Sequence, residues 1–199
     1  MHPAVQNLIN IQEKIKQRLV DIKSNKIPKI IAVSKTFGMD KISPLIEYGH
    51  LDFGENKVQE AIEKWNDVKL AVKLFDYIHS VDSEKLAKKI FDEQQKQNKK
   101  VKVFIQVNIG NEEQKSGVNK SSVSELYSYC KTLGLNVIGL MCIPPLDKSP
   151  DIFFKEMTIL CKNLNLVELS MGMSSDYLEA IKNSATYVRI GSNIFGERN

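Results

Sequence analysis

Strand-length apolar runs that scarcely alternate recur along this chain, and each is followed by a stretch with helical spacing. "IIAVS" (Ile30–Ser34), "VKVFIQVN" (Val101–Asn108) and "NVIGLMCI" (Asn136–Ile143) leave little polar surface on either face. A sheet with one wet face is written as alternation. Runs like these belong to parallel strands covered by helices on both sides.

The remaining elements fit that frame. Val5, Leu8, Ile11, Ile15, Leu19 and Ile22 recur at steps of three and four, which predicts an amphipathic helix over Val5–Lys23. A second helix starts at Asp40 or at Ser43-Pro44 and stops at Gly49. "LDFGE" (Leu51–Glu55) is a short strand and "NKVQEAIEKW" (Asn56–Trp65) a helix. "LFDYIHSV" (Leu74–Val81) is a strand, followed by a helix over Ser83–Gln97. Ser122 and Glu125 have the spacing of a capping box opening a helix that ends at Gly134. Ser149-Pro150 opens a helix through Asn163. "VELSMGM" is a strand, "SDYLEAIKNS" a helix, and "YVRIG" the last strand before a short tail, "SNIFGERN".

The expected fold is therefore α/β, a TIM (β/α)8-type barrel forming a single domain over residues 1–199. Seven strands can be read, one short of closure, and a doubly wound open sheet is the competing architecture. The shortfall falls at Trp65–Lys73, "WNDVKLAVK", which joins a helix to a strand and has helical rather than strand spacing.

Charge excludes little but points away from some partners. The 28 basic and 24 acidic residues are dispersed, with no basic stripe for nucleic acid. No apolar run is long enough to span a membrane, and the start of the chain lacks a signal-peptide layout. Cys130, Cys142 and Cys161 lie on apolar faces without CxxC spacing and are expected as buried free thiols. Together these features predict a soluble, cytoplasmic protein with no nucleic-acid or membrane partner.

Active sites of parallel α/β folds gather at the carboxyl ends of the strands. There the chain places Lys35, Glu55 with Asn56, His79 with Ser80, and Asn108. After the last two strands come Gly172, Ser174 and Ser175, then Gly191 and Ser192. Small residues at a helix start expose backbone N–H groups that bind phosphate; each such loop read alone favours a plain cap or turn, and two in the right places shift the balance toward phosphate. Lys35 ends an apolar strand. Either it reaches out to solvent, or apolar neighbours disfavour its ammonium form and leave an amine able to add to an aldehyde.

Taken together, "AVSKT", "DFGENKVQE", "IHSVDS", "SMGMSSD" and "VRIGSNIFG" resemble the pyridoxal phosphate homeostasis proteins, the YggS or PROSC family, in order along the chain. The resemblance implies a fold-type-III barrel in which Lys35 holds pyridoxal 5'-phosphate (PLP) as a Schiff base. It implies a phosphate site at Ser174 and the Gly191-Ser192 turn beside Met173, Arg189 against the pyridine nitrogen, and Asn56 near the ring. It further implies a carrier that buffers PLP and delivers it to PLP-dependent apo-enzymes, as a monomer or weak dimer with no catalytic residue and no metal. Two departures from the family pattern stand out. A block of the type Trp/Leu-His-x-Ile-Gly-x-Leu-Gln-x-Asn-Lys, which would form the third strand, is missing, and Phe37 stands where members commonly have a basic residue.

Two rival functions share these residues. A racemase-like PLP enzyme of fold type III would use the same lysine, but it needs a second β-rich domain carrying a tyrosine, and 199 residues leave no room for one. A phosphate-binding barrel enzyme without PLP would use Glu55, His79 and Lys35 as acid/base groups, and His79 and Glu55 are equally explicable as hydrogen-bonded residues at strand ends.

Overall fold

The structure is a computed structural model that describes residues 1–35, 37–54 and 68–197. The chain divides into two compact units, Met1–Asn56 with Met171–Asn199, and Lys57–Ser170.

In the first unit, helix α1 (Pro3–Asp21) begins where His2 Nδ1 accepts the Ala4 N–H at 3.2 Å. Pro3 takes the first turn, where a missing N–H removes no helical bond. The expected stripe of Val5, Leu8, Ile11, Ile15 and Leu19 is buried, while Ile22 falls just past the end as the capping residue. Strand β1 (Lys29–Val33) buries Ile30 and Ala32. Helix α2 (Met39–Glu47) starts near the Asp40 alternative, not at Ser43-Pro44. Pro44 lies inside it and forgoes only the bond to the carbonyl four residues earlier. Strand β2 spans Phe53–Gly54 among the described residues, starting later than the expected Leu51.

The second unit opens its described part with helix α3 (Val68–Leu74), so the described part of "WNDVKLAVK" is helical. Side chains further along the chain hold it in place: Gln97 Nε2 donates to Lys69 O at 2.8 Å and Lys99 Nζ to Lys73 O at 3.1 Å. Phe75 N–H still donates to Ala71 O, so strand β3 (Tyr77–Val81) starts later than the expected Leu74. Among the described residues no strand lies between β2 and β3. Helix α4 (Glu84–Gln97) is capped by Ser83 Oγ on Leu86 N–H. Strand β4 (Lys102–Asn108) has Val103, Phe104, Ile105 and Val107 almost wholly enclosed, as a strand covered on both faces requires.

A two-residue strand, β5 (Val118–Asn119), pairs with β4 and had no signature in the sequence. Before helix α5 (Val123–Leu133) the chain makes a 3-10 turn, Lys120–Ser122. At the end of that turn Ser122 has φ −99° and ψ 2°, outside the extended region an N-cap normally takes, and makes no side-chain cap, so the expected capping box with Glu125 does not form. Strand β6 (Asn136–Cys142), helix α6 (Pro150–Asn163) and strand β7 (Glu168–Ser170) complete this unit. Its strands run in the order β7-β6-β4-β3, all parallel.

The chain then returns to the first unit with helix α7 (Tyr177–Lys182), strand β8 (Tyr187–Ile190) and helix α8 (Ser192–Phe195). Strand β8 lies parallel to β1, which lies parallel to β2. The short α8 occupies residues read from sequence as a tail. All three cysteines are buried thiols outside any disulfide. Burial raises the Cys130 and Cys161 thiols to about 11. Among the described residues no helix is long and apolar enough to cross a membrane, and no group of three His, Cys, Asp or Glu is placed to hold a metal ion.

Candidate functional site

The loop after β7 is shaped by one glycine and one aspartate. Arg189 N–H donates to Gly172 O at 2.9 Å, which continues the pairing of this segment with β8. Gly172 has φ +93°, and a Cβ there would stand 2.6 Å from Ala180 Cβ and 2.9 Å from Tyr177 Cα. Only glycine allows the chain to turn this tightly onto the start of α7. Asp176 Oδ1 accepts the Met173 N–H at 2.6 Å, while Met173 O accepts the N–H groups of Asp176 and Tyr177. Burial raises the Asp176 carboxyl above the usual range and outweighs the Met173 bond and the Arg189 charge, which both lower it.

The loop after β8 meets the first one. Gly191 O accepts from the N–H groups of Ile194 and Phe195, both at 2.9 Å, which closes the single turn of α8. Asn193 Nδ2 donates to Ser174 O at 2.8 Å, and Asn193 N–H donates to Ser174 Oγ at 3.3 Å. Met173, Ser174, Gly191 and Ser192 are thereby gathered into one cluster. Among the described residues a Cβ at Gly191 would meet Val33, at an ordinary 3.5 Å, and φ there is −112°, so neither packing against those residues nor the backbone demands glycine at that position. The main-chain N–H groups of Ser174, Ser175 and Ser192 donate to no other described residue.

Lys35 arrives from β1. Buried Ser34 donates its N–H to Gly54 O, and Ser34 O accepts the Phe37 N–H at 3.1 Å, so Lys35 lies in a tight turn. It stands two residues beyond Val33, the neighbour of Gly191. The Phe37 ring stacks on Phe195 with centroids 4.9 Å apart, Lys41 Nζ lies 5.0 Å from the Phe37 ring centre, and Lys41 Nζ also donates to Phe195 O at 3.2 Å. These contacts fasten the Lys35 turn to α8. Arg189 is buried on β8, in register with Ile31 of β1.

Asn56 and Glu55, and the helix expected over Asn56–Trp65, lie outside the described residues. His79 belongs to the second unit, where its Nδ1 shares a 2.8 Å hydrogen bond with the fully buried Ser170 Oγ and its ring packs 4.1 Å from Phe104. Sequence reading passed over Asp176 and Asn193. An aspartate directly before an apolar helix is an N-terminal signal that could have flagged the first. The second left no local signal, because its partner is 19 residues away.

The family model of the alanine racemase N-terminal domain matches residues 7–199. This defines the class, a parallel α/β domain of the TIM-barrel type. The pyridoxal phosphate homeostasis protein of Aquifex aeolicus is 35% identical over 198 residues, covering 85% of this chain and 87% of that protein. Its Pasteurella multocida counterpart is 33% identical over 225 positions, covering 97% of each. PipY of Synechococcus elongatus, solved with PLP bound, superposes with a TM-score of 0.77 at 30% identity, covering 92% of this chain and 100% of PipY. The chain belongs to the family of the pyridoxal phosphate homeostasis proteins. Its 199 residues against those 225 aligned positions mean that the Pasteurella protein carries segments this chain lacks.

Proposed function

We propose that this chain binds PLP and serves as a PLP carrier, with Lys35 as the covalent anchor. The observation that carries the reading is the pair of hydrogen bonds between Asn193 and Ser174, which merges two glycine- and serine-bearing turns beside β1, the strand that leads into the Lys35 turn. The residues fit the group. The N–H groups of Ser174, Ser175 and Ser192, which meet no acceptor among the described residues, suit a phosphate, and a glycine that packing against those residues does not require leaves room for one at Gly191. Bound PLP supplies an aldehyde for the lysine and a ring able to take up electrons.

The other roles follow from chemistry. Arg189 is a donor only and stays protonated, so beside a pyridine nitrogen it opposes protonation there. A site built this way holds the cofactor and activates amino acids poorly. Met173 borders the phosphate end; Asn56, which the family resemblance puts near the ring, lies outside the described residues. The whole chain, residues 1–199, acts as one cytoplasmic barrel domain, a monomer or weak dimer that hands PLP to apo-enzymes and turns over no substrate of its own.

Equilibrium titration with PLP, read by visible absorbance, tests this. Wild type is expected to saturate at one PLP per chain and Lys35→Ala to lose the absorbance change. L-Alanine incubated with the loaded protein is expected to stay in the L form. Equal absorbance changes in wild type and variant would refute the anchor, and rapid racemisation would turn the reading to an enzyme.

A further inference from the structure

Asn193 is exposed, at the second position of a one-turn helix, yet it makes two bonds to a single residue of another loop. Each bond has a chemical consequence. Because Nδ2 donates to Ser174 O, it fixes the plane of the peptide between Ser174 and Ser175. A planar trans peptide carries its C=O and N–H in opposed directions, so the aim of the Ser175 N–H is fixed as well. Because Ser174 Oγ accepts from Asn193 N–H, its own O–H remains to be given elsewhere. The hydroxyl thus keeps its proton available for an acceptor. Asp176 holds the opposite end of the same loop through the Met173 N–H.

We infer that Asn193 is a positioning residue for the phosphate end of the site, one that orients the Ser174 hydroxyl and the Ser175 N–H without itself having to touch the ligand. This rests on the reading that the PLP phosphate lies at these turns. It separates that role from a plain surface pin, since an exposed pin would serve stability whether or not a phosphate is present.

The test compares dissociation constants for PLP and for pyridoxal, which lacks the phosphate, in wild type, Asn193→Ala and Asn193→Asp. Asn193→Ala is expected to weaken PLP about fivefold while changing pyridoxal less than about twofold. Asn193→Asp removes the donor and adds a negative charge, and is expected to weaken PLP about tenfold or more, again sparing pyridoxal. Inorganic phosphate should compete less well against PLP-free variants in the same order. Unchanged PLP affinity in both variants overturns the inference, as does an equal loss for PLP and pyridoxal. If the alanine variant unfolds, Asn193→Asp, of the same size, applies the same criterion. A wild type that binds PLP no better than pyridoxal refutes the phosphate reading itself, independently of either variant.

Discussion

At Gly172 two independent constraints meet, a positive φ and a helix start too close to admit a Cβ. Gly172→Ala is therefore expected to lower stability by about 1–3 kcal/mol, measured by urea denaturation, with the PLP affinity falling alongside. A change within about 0.3 kcal/mol would show that the loop relaxes freely. Asp176 gives a prediction with a sign. Its folded-state carboxyl titrates above its ordinary value, so the folded chain holds that proton more tightly than the unfolded chain. Its contribution to stability is most favourable at acid pH and is lost as pH rises through the raised value. Asp176→Asn keeps an acceptor for the Met173 N–H and removes the buried charge. Its stability relative to wild type should rise between pH 4 and pH 7, and a flat difference across that window would contradict the assignment.

Helix α8, four residues long, connects more of the first unit than its size suggests. Asn7 Nδ2 donates to Ile194 O at 3.0 Å, Asn193 holds Ser174, and Phe195 stacks on Phe37. Phe37→Ala is expected to lose about 1–2 kcal/mol through the stack and its burial, and to speed hydrogen exchange in the Lys35 turn. Phe37→Leu should restore part of the stability and little of the exchange protection. One turn is too short for hydrophobic periodicity to register, and this is why α8 read as a tail. Strand β4 was legible for the opposite reason: Val103, Phe104, Ile105 and Val107 are enclosed on both faces, and that leaves a continuous apolar run. Ser122 misled because a capping box is a spacing rule, whereas the cap itself depends on backbone angles that a preceding 3-10 turn had altered.

Over the whole molecule, the parallel α/β class was legible because enclosed strands and amphipathic helices alternate, and Trp65–Lys73 reads in the sequence as helical spacing where a strand is expected. The described part of that stretch is indeed helix α3, anchored through Lys69 and Lys73 to the residues around the end of α4. Lys35, Ser174 and Gly191 could be picked out because they come directly after strands. Asn193 could not, since long-range hydrogen bonds leave no pattern along the chain. Cys130 and Cys161, buried with thiols near 11, should resist a thiol reagent at pH 7.5 in the folded protein and react promptly in urea. Fast labelling of either in the native state would show that the core opens readily. The central claim, that one particular amine receives the cofactor, is tested most directly by adding equimolar PLP, reducing with borohydride and mapping the modified peptides by mass spectrometry. One phosphopyridoxyl group on the peptide carrying Lys35 is the expected result; modification spread over other lysines, with Lys35 unmodified, would contradict it.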